Sequence, residues 1–343
     1  MADNDAALRD TALQMMSEGR GILAADESSG TMKKRLDAVG VESTEATRLE
    51  IRELIFTTPG AADQISGVIL FDETLRQQSS DGTPIPKLLT DLGMIPGIKV
   101  DTGAKPLAGS PEETVTEGLD GLRDRFDEYR ELGARFAKWR AVISIGEGRP
   151  SQYAISVNAH ALARYAALCQ EAGLVPIVEP EVLMDGDHTI DRSAEVTEAT
   201  LRVVFAELAA QRILLEGMVL KPNMVLSGYD CPQQAGTEEA AERTLATLRR
   251  VVPAAVPGIA FLSGGQSDEA ASAHLSAMNA IGGVPWELSF SYGRALQAAP
   301  LKAWSGDPAN ADAAQEAFAH RARCNGAARR GEYTAEMEAE AVA

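Results

Sequence analysis

Cysteine is scarce in this chain. Its three copies, Cys169, Cys231 and Cys324, lie far apart, form no CxxC pair and leave an odd count. That argues against a disulfide framework and for a reducing compartment, the cytoplasm, with a single reactive thiol still open. No apolar run reaches the ~18 residues that a membrane span needs, and the opening stretch MADNDAALRDTALQMM carries acids where a secretory leader would carry bases. Neither anchor nor leader is expected. Histidine is nearly as rare: His160, His188, His274 and His320 are scattered, and none belongs to HxH, HxxE or HExxH. His188, in DGDH, reads as a loop cap, and neither a metal nor a cofactor is expected. Basic charge is also short, at 32 residues against 50 acids and a formal net charge of −18. Such a field repels a phosphate backbone or an anionic bilayer, which excludes nucleic-acid and membrane partners.

What is present in quantity is alternation. Hydrophobic residues make up 45% of the chain and charged ones 24%, ordinary usage for a globular protein that buries a core. Apolar, β-rich runs begin at Gly21, Ser66, Ile95, Ala134, Leu174, Gly217, Gly258 and Trp286, separated by helix-type segments such as VNAHALARYAALCQEAG and EEAAERTLATLRRVV. Eight nearly continuous apolar strands with crossover helices and no linker predict a single-domain (β/α)8 TIM barrel over residues 1–330, with a doubly wound open sheet as the alternative. Residues 331–343, GEYTAEMEAEAVA, lack a packing pattern and read as a flexible tail.

Each run starts apolar and ends polar: Asp26 and Glu27 on the first, Asp72 and Glu73 on the second, Lys99 and Asp101 on the third, Lys138 and Arg140 on the fourth. Glu179 and Glu181 follow in the fifth, Lys221 and Asn223 in the sixth, Ser263 to Gly265 in the seventh, Ser291 and Arg294 in the eighth. In a barrel these strand ends converge on one mouth. Alternate residues of a strand share a face, so Glu179 pairs with Glu181 and Lys138 with Arg140. The bland reading is a salt-bridge layer that holds the barrel shut.

Lysine scarcity favours chemistry over that reading. Only eight of the 32 bases are lysine, yet three of those eight, Lys99, Lys138 and Lys221, fall in strands. A chain that prefers arginine would use it for plain ion pairing, since guanidinium matches a carboxylate better. An amine can shed its proton and attack a carbonyl to form a Schiff base, which guanidinium cannot. Lys221, in GMVLKPNM, has the most apolar neighbours and is the candidate nucleophile. Lys138 is then the neighbouring cation that favours the free amine, and Glu179 the acid that protonates the departing hydroxyl. Two loops, LSGGQ and SYGR, read as anion sites after strands seven and eight. On the opposite side ADESSGTMKKR brings Ser28, Ser29, Lys33, Lys34 and Arg35 towards Lys99. Two anion sites across one mouth imply a bisphosphorylated substrate.

The same runs resemble the class I, Schiff-base-forming fructose-1,6-bisphosphate aldolases. GILAADES, GVILFDETL, GIKVD, PLAG, GLDGL, FAKWR, ARYA, VPIVEPE, DGDH, LKPNM, FLSGGQS, FSYGRALQ and LKAW occur in the family's order over roughly residues 8 to 330. The resemblance implies a metal-independent barrel, usually a homotetramer, acting in glycolysis and gluconeogenesis. It places the Schiff-base lysine on Lys221, the general acid/base on Glu179 with Glu181 assisting, the C4-hydroxyl carboxylate on Asp26 and the adjacent cation on Lys138. It gives Ser28, Arg35 and Lys99, with Arg140 alongside, to the sugar and its 6-phosphate. Ser263, Gly264, Gly265, Ser291, Gly293 and Arg294 go to the 1-phosphate. One feature departs: animal members end in a tyrosine that folds back into the site, whereas this chain ends AEMEAEAVA, and Tyr333 comes too early for that role. Another Schiff-base sugar-phosphate aldolase, a transaldolase, or a non-catalytic protein that kept the barrel are the competing readings. Two anion sites count against the first two, and the retained Asp26, Lys138, Glu179 and Lys221 against the last.

Overall fold

The computed structural model describes residues 2–342. Eight parallel strands close into a barrel: β1 (Gly21–Ala25), β2 (Ile65–Leu70), β3 (Ile95–Lys99), β6 (Phe136–Ile143), β7 (Val175–Val182), β8 (Val219–Leu220), β9 (Gly258–Phe261) and β10 (Glu287–Tyr292). The apolar runs of the sequence thus form the barrel, and the open sheet is set aside. Two strands were not anticipated. β4 (Gly103–Leu107) and β5 (Ser110–Glu117) form an antiparallel hairpin between β3 and β6. Their residues are largely exposed, so they carry no apolar run to read.

Helices between the strands start where the sequence supplies caps. Ser151 Oγ accepts the Ala154 N–H at the head of the helix Gln152–Glu171, and Thr189 does the same for Ile190–Ala210. Their apolar faces pack on the outward strand residues in one continuous core that includes Trp139, Tyr165, Phe261 and Tyr292. Trp139 and Tyr165 stack with ring centroids 5.7 Å apart.

Inside the barrel the lower half is apolar and the upper half charged. Ile22, Ile69, Phe136, Val175, Ile177, Val219 and Ala260 fill the lower layer, and Leu8, Ala12, Met15 and Met16 from the N-terminal helix (Ala2–Met15) and its exit pack beneath it. Phe136 fits only because its neighbour on β3 is Gly97: a β-carbon there would sit inside the phenyl ring. Gly97→Ala is therefore expected to cost about 1–3 kcal/mol through overpacking, read as a lower urea midpoint at unchanged slope. An unchanged midpoint would show that the ring relaxes freely.

The tail expected to be loose makes defined contacts. Tyr333 Oη donates to Glu338 Oε1 at 2.8 Å, and Arg321 on the last helix (Ala311–Arg329) pairs with the Glu338 carboxylate. The sequence pattern missed this because the partners of Glu338 lie on another element. Among the described residues no helix is long and apolar enough to cross a membrane, and no disulfide joins the three buried cysteines.

Candidate active site

The polar strand ends meet above the apolar layer in one cavity of about 430 Å³, lined by Asp26, Ser28, Arg35, Lys99, Lys138, Arg140, Glu179, Glu181, Lys221, Ser263, Gly264, Gly265, Ser291, Gly293 and Arg294. These are the candidate residues read from the sequence. Strand geometry explains the convergence. Arg140 lies opposite Glu179 and Val142 opposite Glu181 in the β6–β7 register, so the inward faces of the two strands present alternating charge. Lys221 follows a strand only two residues long. Its N–H completes the ladder to Val178 O at 2.8 Å, and Pro222, with no N–H, then ends it.

At the floor of the cavity four charges share contacts. Lys138 Nζ lies 2.6 Å from Asp26 Oδ2 and 3.4 Å from Glu179 Oε2, while Lys221 Nζ lies 3.3 Å from Glu179 Oε1. All four residues are buried. Burial alone would raise the Asp26 carboxyl, but the ammonium groups of Lys138 and Lys221 outweigh it and hold Asp26 well below the usual carboxylate range. Burial opposes the charge on Lys138 as well, and Asp26 with Glu179 reverses that, so its ammonium is held well above the ordinary lysine value. Glu179 is likewise raised by burial and pulled below its usual value by Lys138, Lys221 and Arg140. Glu179 therefore rests ionised, which amends its expected role: it must first accept a proton before it can donate one. Its Oε2 has no hydrogen-bond donor in the resting site. Higher in the cavity Arg140 pairs with Glu181, and Lys99 lies 3.7 Å from Asp101.

The two glycine loops meet at one candidate anion site. Gly264 and Gly265 have φ of +58° and +100°, a backbone that turns their amides away from the β9 ladder. Tyr229 Oη holds this loop by donating to Gly264 O at 2.7 Å. A β-carbon at Gly265 would lie 3.2 Å from an Arg294 guanidinium nitrogen, so both loops reach the same spot. The helix Arg294–Trp304 starts there with no side-chain cap, leaving N–H groups for an anion. The buried Ser291 hydroxyl has no partner and borders the same cavity.

The opposite side is narrower than the sequence implied. Ser28, Thr31 and Arg35 reach the cavity from one face of the helix Ser29–Ala38, whereas Ser29, Lys33 and Lys34 do not line it, and Lys33 pairs with Asp37 outside. Helical spacing separates them: positions 28, 31 and 35 share a face that 33 and 34 do not. Asp72 and Glu73 also fall outside, held by Arg76 and by Arg48. Asn223 is structural, accepting the Val182 N–H and donating to Thr197. Missed by sequence reasoning is the buried Arg52, which donates to Glu27 O and Thr74 Oγ1 and supports the strand end that carries Asp26. It sits in an ordinary amphipathic helix and gives no signal. Gln297 donates to Ala24 O and Glu27 Oε1 and braces the same turn, and Glu27 in turn pairs with Arg35 at 2.5 Å.

Residues 7–343 match the family model described as fructose-bisphosphate aldolase class-I. The chain belongs to this family. Among curated relatives, a probable class 1 fructose-bisphosphate aldolase of Xanthomonas campestris is 59% identical, covering 95% of this chain and 98% of its own. Cytosolic fructose-bisphosphate aldolase 6 of Arabidopsis thaliana is 56% identical over 92% of this chain and 88% of its own. A crystal structure of Plasmodium falciparum fructose-bisphosphate aldolase, bound to TRAP and a small-molecule inhibitor, superposes with a TM-score of 0.96 at 48% identity, covering 97% of both chains. The aldolase family thus accounts for the whole barrel, hairpin and tail included.

Proposed function

We propose that this chain reversibly cleaves fructose 1,6-bisphosphate to dihydroxyacetone phosphate and glyceraldehyde 3-phosphate through a Schiff base on Lys221. The observation that carries this is the buried Lys221 sharing the Glu179 carboxylate with the buried Lys138, in a cavity lined also by Arg35 and Lys99 and by the Gly264–Gly265 loop and Arg294. The Lys221 ammonium gives one proton to the ionised Glu179 at 3.3 Å, the freed amine attacks the C2 ketone, and a second proton moves from the nitrogen to the former ketone oxygen to give the carbinolamine. Glu179 returns that proton to the carbinolamine hydroxyl, which leaves as water and yields the iminium. The ionised Asp26 takes the C4 hydroxyl proton as the C3–C4 bond breaks. The bonding pair moves into the iminium and forms an enamine, glyceraldehyde 3-phosphate departs, and protonation at C3 followed by hydrolysis releases the second product. Lys138 stays charged throughout, holding Asp26 and Glu179 ionised at the start of the cycle. Glu181 keeps Arg140 turned along the cavity wall, beside the path of the sugar.

Ser28, Arg35 and Lys99, aided by Arg140, take the 6-phosphate end; Ser263, Gly264, Gly265, Ser291, Gly293 and Arg294 take the 1-phosphate end. A cytoplasmic homotetramer is the assembly that family membership favours. The decisive test is borohydride reduction in the presence of dihydroxyacetone phosphate, followed by peptide mapping. The expected result is one adduct on Lys221. Label on another lysine, or full activity with no label, would overturn the mechanism.

The two ends can be separated kinetically. A hydrogen bond to a charged group is worth about 1.5–3 kcal/mol, so Arg294→Ala should raise KM for the bisphosphate roughly 10- to 150-fold while kcat changes much less. Progress curves in a coupled assay measure both constants. A fall in kcat at constant KM would remove Arg294 from the binding cradle.

A further inference from the structure

A second cluster of ligand-type side chains lies outside the cavity, where the tail meets the last helix. His320 and Cys324 stand one turn apart on the helix Ala311–Arg329, on the same face. The chain then turns back and lays Glu338 over them. His320 Nε2 lies 3.6 Å from Cys324 Sγ and 3.6 Å from Glu338 Oε2, and the three ligand atoms all fall within 4.8 Å of one another. Zinc bonds of about 2.3 Å to sulfur and 2.0–2.2 Å to nitrogen or oxygen, spread tetrahedrally, give ligand-to-ligand edges of about 3.3–3.6 Å. Two of the three edges already have that length. The third closes by rotation of Glu338, the most exposed of the three.

We propose that His320, Cys324 and Glu338 form a zinc site that fastens the C-terminal segment to the barrel. Water supplies the fourth ligand, and the Cys324 thiol gives its proton to solvent on coordination. Sulfur and nitrogen donors favour zinc over magnesium or calcium. The surroundings supply outer support. Tyr333 Oη holds Glu338 Oε1 at 2.8 Å, and Arg321 NH1 bridges both carboxylate oxygens, at 2.6 Å to Oε1 and 2.5 Å to Oε2, so zinc takes Oε2 over from Arg321 while Arg321 and Tyr333 keep Oε1. A thiolate and a carboxylate bring two negative charges to a doubly charged ion, so the site stays neutral beside the Arg321 guanidinium. Arg321 also donates to Asp268 O and Ser272 Oγ, at the head of the helix that follows the Gly264–Gly265 loop. The zinc site therefore anchors the tail to the element that carries one phosphate cradle, without entering the cavity. Histidine spacing gave no hint of it, because its carboxylate comes from the tail.

The test uses the full chain, stripped with chelator and titrated first with zinc and then with cobalt. One equivalent per chain is expected, with a thiolate-to-cobalt band in the near ultraviolet. Zinc should slow proteolytic removal of the tail at least about tenfold at saturation. Cys324→Ala should abolish the cobalt band, and Glu338→Gln should weaken zinc binding about 10- to 100-fold. Cys324 is buried, so if Cys324→Ala does not fold, Glu338→Gln carries the test alone, with borohydride labelling of Lys221 reporting an intact barrel. No stoichiometric binding, a thiolate band that survives in Cys324→Ala, or unchanged affinity in Glu338→Gln would each overturn the site.

Discussion

Lys221→Arg is expected to lower kcat/KM by at least about 10⁴-fold and to abolish the borohydride adduct. Removing a nucleophile from a concerted group discards the whole covalent route, and what survives is binding and electrostatics alone. Arginine is the informative replacement because it keeps a cation beside Glu179 and so preserves the charge balance of the floor. Its guanidinium stays protonated and cannot form the iminium. If loss of charge rather than loss of the amine were responsible, the arginine variant would retain most of its turnover. Residual activity above about one part in a hundred would sink the Schiff-base reading.

Lys138→Met removes the cation that two buried carboxylates share, and the expected cost is about 3–5 kcal/mol of stability at neutral pH. The pH dependence has a definite sign. Asp26 and Glu179 have folded values below their unfolded ones, near 4, so their contribution is present above about pH 4 and is lost as pH falls through the folded values. Lys138 has a folded value above its unfolded one, near 10.4, so its contribution is complete below about pH 10 and is lost only as pH rises through the folded value. The cluster is thus fully effective between about pH 5 and 9. The gap between wild type and variant should be widest there and should narrow on acidification, as the abandoned carboxylates of the variant protonate. Urea midpoints at several pH values measure it. A gap under about 1 kcal/mol at pH 7 would mean that water replaces the ammonium at no great cost.

The barrel was legible because strands buried on both faces read as continuous apolar runs, and the candidate site because charge at the end of such a run is costly unless used. Lys221 stood out for a chemical reason, as a rare amine at the end of an apolar run. What stayed hidden depends on partners distant in sequence. Nothing in the helix that holds Arg52 marks it as the donor to Glu27 O, and an exposed hairpin such as β4–β5 leaves no apolar signature. Asn223 and Glu73 erred the other way, as polar residues in the expected places that are consumed by ordinary structural hydrogen bonds and ion pairs. Position narrows the candidates, and only geometry tells a reacting group from a satisfied one.

Closure of the barrel bears on how the chain is made. β1 pairs with β10 through Ile22 and Ser291, and Ser289 Oγ donates to Arg20 O, 269 residues away. Arg329 adds three donors to the same seam, reaching Arg20 O, Leu288 O and Met16 O. At ~5–20 residues per second of synthesis, the first strand waits on the order of tens of seconds for the partner that covers its edge. During that interval the nascent sheet is open on one side, and its charged floor lacks the walls that exclude water. Order in the reaction centre therefore comes last in biosynthesis, so a ribosome that stalls before residue 287 releases a sticky fragment and not a slow enzyme.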